Sequence, residues 1–369
     1  MKEVVVLGVG LHKFGRFPEK TVEELAEVAI RNALNESGVP FNDIQAAYVG
    51  HAYQPMGTGW RVVKQFGETG IPIVDMVVGA PSSAHCLVRA ASEIATGVYD
   101  VVLVAGVEKM EKGLISGLTS KGSFEEVMGL LVMPADMAMM AKRHMKEYGT
   151  TVDQLAMCSA IEHRNGALNP YAHHQKPCTV QEVLNSRMIA DPITLLMCSP
   201  TSDGASAAVL CSREMAAHYA GKRPITVASW AVSSGKYSHD GPMEAVAEVA
   251  QEAYEKAGIG PEDVGITEIH DAFSPERIFI AEALGLIPEG EGGPWVEAGR
   301  TDINGDVPID TDGGLVAKGH PIGATGLSQV CEIIWQLRGE AGPRQVTDPK
   351  VGLQEIMGLG DYVVCIYKK

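Results

Sequence analysis

Short apolar runs closed by glycine alternate along the chain with stretches whose apolar residues return every three or four positions. Val4–Gly10 is a continuous apolar run, the pattern of a buried strand. Thr21 with Glu24 three residues on forms a capping box. It opens a helix that carries Leu25, Val28, Ala29 and Leu34 at helical spacing and ends near Gly38. Ala46–Gly50 predicts a strand, Ser82–Thr96 a small-residue helix and Val101–Gly106 a fully apolar strand. Strands alternating with helices imply a parallel sheet covered on both faces.

The alternation stops after Glu108. Residues of about 110–200 are rich in methionine, histidine and polar groups, and an insertion there is where substrate contacts could be added to an existing frame. Met133, Met137, Met139 and Met140 read as gap-filling core rather than as a cofactor box, and His163, His173 and His174 follow. A helical stretch at Gln154–Ala167 and a second capping box, Thr179 with Glu182, mark the insertion as mostly helical. Beyond it, Ala205–Cys211, Ile225–Val232 and Gly265–His270 are strand-like, and Met243–Ala257 is a helix. Ser274-Pro275 reads as cap and first position of a helix through Phe279 and Ala283, and Tyr362–Tyr367 as a last strand. The second half repeats the order of elements of the first, giving halves at 1–225 and 226–369.

A length of 369 residues fits two domains or one duplicated one. A formal net charge of −16 argues against a nucleic-acid partner and offers no polybasic membrane patch. The seven cysteines stand singly, without a C-x-x-C pair or zinc-ligand spacing. They read as reduced thiols in a cytoplasmic protein with no bound metal. The chain enters its first strand without a signal peptide, and no apolar run approaches the roughly 20 residues that cross a bilayer.

Two stretches carry candidate chemistry. In Gly313–Gly326, Pro321 suits a first helical position, which makes His320 the expected N-cap of a helix through Leu327, Val330 and Ile333–Leu337. The positive end of a helix dipole favours a neutral imidazole and so a proton acceptor. The flanking glycines let a bulky ligand approach the backbone. In Glu268–Ser274, His270 ends a strand just before a helix, where open α/β sheets place their ligands. A surface histidine in a glycine-rich turn and a satisfied core histidine are the plain alternatives.

Gly313–Gly326 resembles the G-H-P-x-G-A-[ST]-G signature of the thiolase superfamily. His270-Asp271-Ala272-Phe273 resembles the H-D-[AC]-F segment of sterol-carrier-protein-type and archaeal thiolases, with Ala272 where the sterol-carrier type has cysteine. Ser199–Ala205, and Gly70–Ile73 through Val101–Gly106 to Glu108-Lys109-Met110, follow the same pattern, so the resemblance covers nearly the whole chain. It implies an α/β thiolase fold, two βαβ-rich halves in five layers (αβαβα), with the helical insertion in the first. It implies that His320 activates a nucleophilic cysteine. His270, with the backbone of Ala80 and Gly358, would form the oxyanion hole for the enolate of a CoA thioester, a type of contact that contributes a few kcal/mol per donor.

The nucleophile's position falls on Ala80, which cannot be acylated. With Pro81 as first helical residue Ala80 would be an N-cap, about 1 kcal/mol worse than serine or aspartate, which suggests that another residue belonged there. Cys86, six residues on, reads as a buried helix residue. At the family's second cysteine, in the Gln354–Gly360 loop, stands Glu355, either a substitute acid/base with a pKa raised by burial or a solvated loop glutamate. Ser274, Gly323 and Ala324 are the implied substrate and CoA contacts.

The resemblance further implies coenzyme A as co-substrate, no bound cofactor, a homodimer or dimer of dimers, and as one option a small zinc-ribbon and oligonucleotide-fold partner subunit. Three readings stand open. The first is an acyltransferase that cleaves a β-ketoacyl-CoA or runs the reverse Claisen condensation, with Ala80 in the nucleophile's place either naturally or as a substitution made to trap substrate. The second is a cysteine-independent retro-aldolase on a β-hydroxyacyl-CoA, although the thiolase-like aldolases compared have lost the G-H-P-x-G run kept here. The third is a non-catalytic subunit that binds CoA esters.

Overall fold

The computed structural model describes residues 1–113, 122–128, 132–219, 221–236, 238 and 241–369. The first half contains β1 (Val4–Leu11), α1 (Val22–Ser37), β2 (Ala46–Gly50), α2 (Thr58–Val63), β3 (Ile73–Met76), α3 (Ser82–Thr96) and β4 (Val101–Glu108). The insertion follows with α4 (Phe124–Met128), α5 (Met133–Tyr148), α6 (Val152–Gly166), α7 (Val180–Asn185), β5 (Met188–Ala190) and β6 (Ile193–Thr194). Residues 114–121 and 129–131 of the expected insertion lie outside the described residues. Next come β7 (Gly204–Ser212), α8 (Arg213–Ala216), β8 (Ile225–Ser233), α9 (Pro242–Ala257), β9 (Ile266–Glu268) and α10 (Glu276–Ala283). The chain ends through α11 (Gly292–Glu297), α12 (Ile322–Arg338), β10 (Val351–Gly358) and β11 (Asp361–Lys368).

Among the described residues nine strands form one sheet in the order β3-β2-β4-β7-β1-β8-β11-β10-β9. The expected all-parallel sheet gives way to a mixed one. Pairing is parallel where a helix carries the chain across, in β2–β3, β2–β4 and β9–β10. It is antiparallel at the centre, through β4–β7, β7–β1, β1–β8, β8–β11 and β11–β10. The reason is connection length. β7 enters only after the long insertion, and β10–β11 is a hairpin whose turn residues Leu359 and Gly360 both have positive φ, the geometry that matches strand twist.

Side-chain parity sorts the strands into layers. Val5, Leu7, Ala47, Val49, Leu103 and Ala105 face α1 and α2. Val4, Val6, Tyr48, Val102 and Val104 face inward onto α3 and α12, and so do Ile266, Ile356, Val363 and Cys365 from the second half. Leu353, Val364 and Ile366 turn out towards α9 and α10. A register shift between Val6 and Gly8 keeps Val9 and Leu11 on the inner side. The arrangement is the expected five-layer one, with α3 and α12 as its buried middle.

The insertion packs Met137, Ala141 and Leu155 against Phe273, Phe279 and Leu315. Of the four methionines expected in core, Met137 is buried and Met140 partly so, but Met133 and Met139 are exposed, at 38% and 65%. The middle layer is tight. A Cβ on Gly106 of β4 would come within 2.5 Å of the Gly323 carbonyl and 2.8 Å of Ala324 Cα, both backbone. Gly106→Ala is expected to cost about 1–3 kcal/mol, read as a lower urea midpoint at unchanged slope.

Candidate functional site

Two helix N-termini meet in the middle layer. α12 begins at Ile322, with Pro321 as its N-cap, so His320 sits one residue further out than expected. α3 likewise begins at Ser82 with Pro81 at the cap, which places Ala80 before the cap and removes the poor-cap argument. Ser82 supplies the polar group instead, accepting from Val78 N and donating to the Gly79 carbonyl. The two starts are joined by Leu327 N–H donating to Ser83 Oγ at 3.1 Å, and Ala80 shares its apolar cluster with Ile322 and Ala324.

The rings of His270 and His320 lie edge to face with centroids 5.3 Å apart. His320 Nδ1 is 2.8 Å from Thr325 Oγ1, whose hydroxyl donates to the Pro321 carbonyl at 3.1 Å. Thr325 has spent its only proton there, so Nδ1 must be the donor, and Nε2 carries the lone pair. Burial, then the neighbouring His270 and Lys318, holds the His320 pKa well below its usual value. Burial pulls His270 down to about 4, and both its ring nitrogens lack a protein partner. β9 ends at Glu268, so His270 lies just beyond the strand, and its backbone N–H donates to Glu355 Oε2 at 2.9 Å.

Glu355 departs from its expected setting. The segment read as a loop is strand β10, with only Leu359 and Gly360 as turn, and Glu355 is 1% exposed, so the solvated-loop alternative falls. Burial raises its pKa to about 8, leaving a neutral acid at pH 7 whose Oε1 has no protein partner. The folded value exceeds the ordinary 4.5. Its contribution is therefore full below about pH 4.5 and is lost as pH rises through 8, on the order of 1 kcal/mol per pH unit between. Glu355→Gln should flatten that slope, measured as urea midpoint against pH.

Gly358 closes β10 against Ala80: a Cβ on it would lie 3.3 Å from Ala80 Cβ and 3.4 Å from Ala80 N. Gly358 thus neighbours Ala80, Glu355 holds the backbone of His270, and the His270 ring meets that of His320. Cys86 is fully buried and burial pushes its thiol up, as a core residue. Ser274, Gly323 and Ala324 are buried and already engaged. Ser274 Oγ donates to the Leu155 carbonyl, Gly323 N–H to Glu108, and Ala324 N–H to the Pro321 carbonyl, so none has a free donor to offer a ligand.

Glu108 escaped the sequence reading. It is fully buried at the end of β4 and accepts from Ala52 N, Tyr53 N, Gln54 Nε2 and Gly323 N. Burial raises its pKa against these four donors. A lone carboxylate closing a seven-residue apolar run was the available signal. Among the described residues no group of three or more His, Cys, Asp or Glu is placed to hold a metal ion, and no helix is long and apolar enough to cross a membrane.

Residues 4–214 match the family "Thiolase, N-terminal domain" and residues 227–368 "Thiolase C-terminal domain-like". The chain is 39% identical to the acetyl-CoA acetyltransferase of Methanothermobacter thermautotrophicus over 97% of each chain. It is 37% identical to sterol carrier protein 2 of Bos taurus, over 99% of this chain and 72% of that protein. The solved structure of the Ltp2-ChsH2(DUF35) aldolase superposes with a TM-score of 0.87 at 24% identity, covering 100% of this chain and 98% of that one. With both halves matched, and the glycine–histidine turn and second histidine meeting in the shared middle layer, the chain belongs to the thiolase family.

Proposed function

We propose that this thiolase-family chain is built for acyl transfer on CoA thioesters, thiolytic cleavage of a β-ketoacyl-CoA or the reverse Claisen condensation, with Ala80 at the nucleophile's position. The observation that carries the reading is the pair of neutral histidines 5.3 Å apart. His320 Nε2 is the proton acceptor that a thiol at position 80 would need. His270, neutral and with its ring unpartnered, is a donor for a developing enolate, together with the backbone of Ala80 and Gly358. Glu355, neutral at pH 7, is the proton donor and acceptor in place of a second cysteine. Coenzyme A is the co-substrate and the protein works in the cytoplasm as a homodimer or dimer of dimers.

The same site without a thiol also suits cysteine-independent retro-aldol cleavage of a β-hydroxyacyl-CoA. The specific observation in favour is that a proton acceptor in His320, an enolate donor in His270 and a neutral acid in Glu355 are present without any thiol. The aldolase it superposes on is described with a DUF35 partner, and a small partner subunit of that kind belongs to this second reading. A non-catalytic CoA-ester subunit shares the binding but neither chemistry.

Calorimetric titration with a panel of acyl-CoAs, followed by product assay with and without free CoA, separates these. Binding without turnover is expected of the chain as it stands. Product release from a β-hydroxyacyl-CoA without free CoA favours aldol cleavage, and no binding of any acyl-CoA sinks both catalytic readings.

A further inference from the structure

Behind the two histidines lies a buried ionic group that the proposed chemistry does not use. Glu162 on α6, Asp271, Asp310 and Arg277 on α10 are all fully buried. Asp271 follows His270 in sequence, and its Oδ1 accepts from Leu315 N–H at 2.6 Å. Leu315 lies in the π-helical turn Gly314–Lys318 that leads into His320. A side chain on Gly314 would collide with the Asp271 carboxyl, so the turn is shaped around it. Asp310 Oδ1 accepts from Ile269 N–H at 2.9 Å on the other side of His270. α6 and the residues after it back the segment leading into that turn, with Asn165 Nδ2 donating to the Asp310 carbonyl and Asn169 Nδ2 to that of Asp312.

The charges do not balance. Three carboxylates against one guanidinium leave an excess of two negative charges without solvent, which low-dielectric surroundings do not tolerate. Both oxygens of Glu162, Oδ2 of Asp271, Oδ2 of Asp310 and Nη1 of Arg277 lack a hydrogen-bond partner. Arg277 Nη1 stands 3.7 Å from Asp310 Oδ2, and the Glu162 and Asp271 carboxyls lie within side-chain hydrogen-bond reach of each other. A proton held between them turns two unpartnered oxygens into an O–H···O bond and leaves Asp271 Oδ1 free to keep Leu315.

We propose that Glu162 and Asp271 share one proton, and that Asp271, so paired, is a positioning residue that ties the His270 loop to the turn carrying His320. The other charged or titratable groups facing the pair are Glu276 and Arg277 of α10, Asp310, and the Cys158 and Cys178 thiols. Burial, the largest cause, and the neighbouring carboxyls hold both carboxyls well above their usual pKa. Folding stability is therefore lost as pH rises through the pair's titration.

The test is hydrogen–deuterium exchange of peptides covering 313–320. Asp271→Ala should raise exchange there about tenfold or more, because Leu315 N–H loses its acceptor. Asp271→Asn, which keeps the acceptor oxygen, and Glu162→Gln, a neutral stand-in for the protonated acid, should exchange like the parent. Glu162→Gln should also lose less stability between pH 5 and 9 than the parent. The proposal is overturned if Glu162→Gln exchanges as fast as Asp271→Ala or is destabilised at neutral pH. Parental exchange in Asp271→Ala overturns it too. If Asp271→Ala does not fold, the asparagine and glutamine variants still decide. The effect on chemistry rests on the proposed role of the histidines. In an Ala80→Cys background, Asp271→Ala should slow acylation about tenfold and Asp271→Asn should restore it. An Ala80→Cys protein that never acylates would remove that role while exchange and pH slope still test the pair.

Discussion

Ala80→Cys, incubated with a panel of acyl-CoAs, gains the mass of one acyl group, while the parent chain gains none. A thiol there would stand at the start of α3, beside Gly358 and in the layer that holds His320, where a helix N-terminus and an adjacent imidazole favour thiolate. His320 Nε2 is unprotonated because Thr325 fixes the other nitrogen, so it has a lone pair for the thiol proton. Adding His320→Ala to the cysteine variant should slow acylation by about 10²–10⁴, the usual range for a positioned base. Intact-mass spectrometry over time measures both. If the cysteine variant binds acyl-CoA and stays unmodified, acyl transfer through position 80 is wrong and aldol cleavage leads.

Arg277→Ala is expected to cost the fold about 3–5 kcal/mol, because it strips a guanidinium from a buried group of carboxyls and leaves its partners unpaired. Nη2 donates to the carbonyls of Thr301 at 2.8 Å and Ile309 at 2.9 Å, so two backbone acceptors are orphaned as well. Arg277→Lys keeps a charge but cannot reach both carbonyls from one planar group, and should recover only part of the loss. Urea midpoints of the three proteins give the comparison. A parental midpoint for Arg277→Ala would mean that the carboxyls are neutral enough to need no cation.

Much of the frame was legible because its signals are local. The capping boxes at Thr21 and Thr179, the apolar runs of β1, β2 and β4, and the glycine ending α1 all lie where the pattern puts them. Strand direction was not, since period and composition are the same for parallel and antiparallel neighbours; only the long path from β4 to β7 decides it. β10 was missed because Gln354 and Glu355 break its apolar run. Both are buried, bonded to Gly326 and to His270 across elements that no periodicity connects. His270 and His320 could be found because short motifs carry them. Glu162 and Arg277 could not, since a buried charge looks like a solvated face until its partners from distant segments are in place.

The place of β1 in the sheet has a consequence for biosynthesis. All eight of its residues are buried, yet its partners are β7 and β8, with Val4 opposite Ser212. At about 5–20 residues per second a ribosome needs on the order of 10–40 s to reach β7. Throughout that interval the run Val4–Leu11 emerges apolar, uncharged and without its neighbours, the type of segment that pairs with other chains. The nascent protein is therefore most exposed to misassembly at β1, and chaperone contact should be longest-lived there.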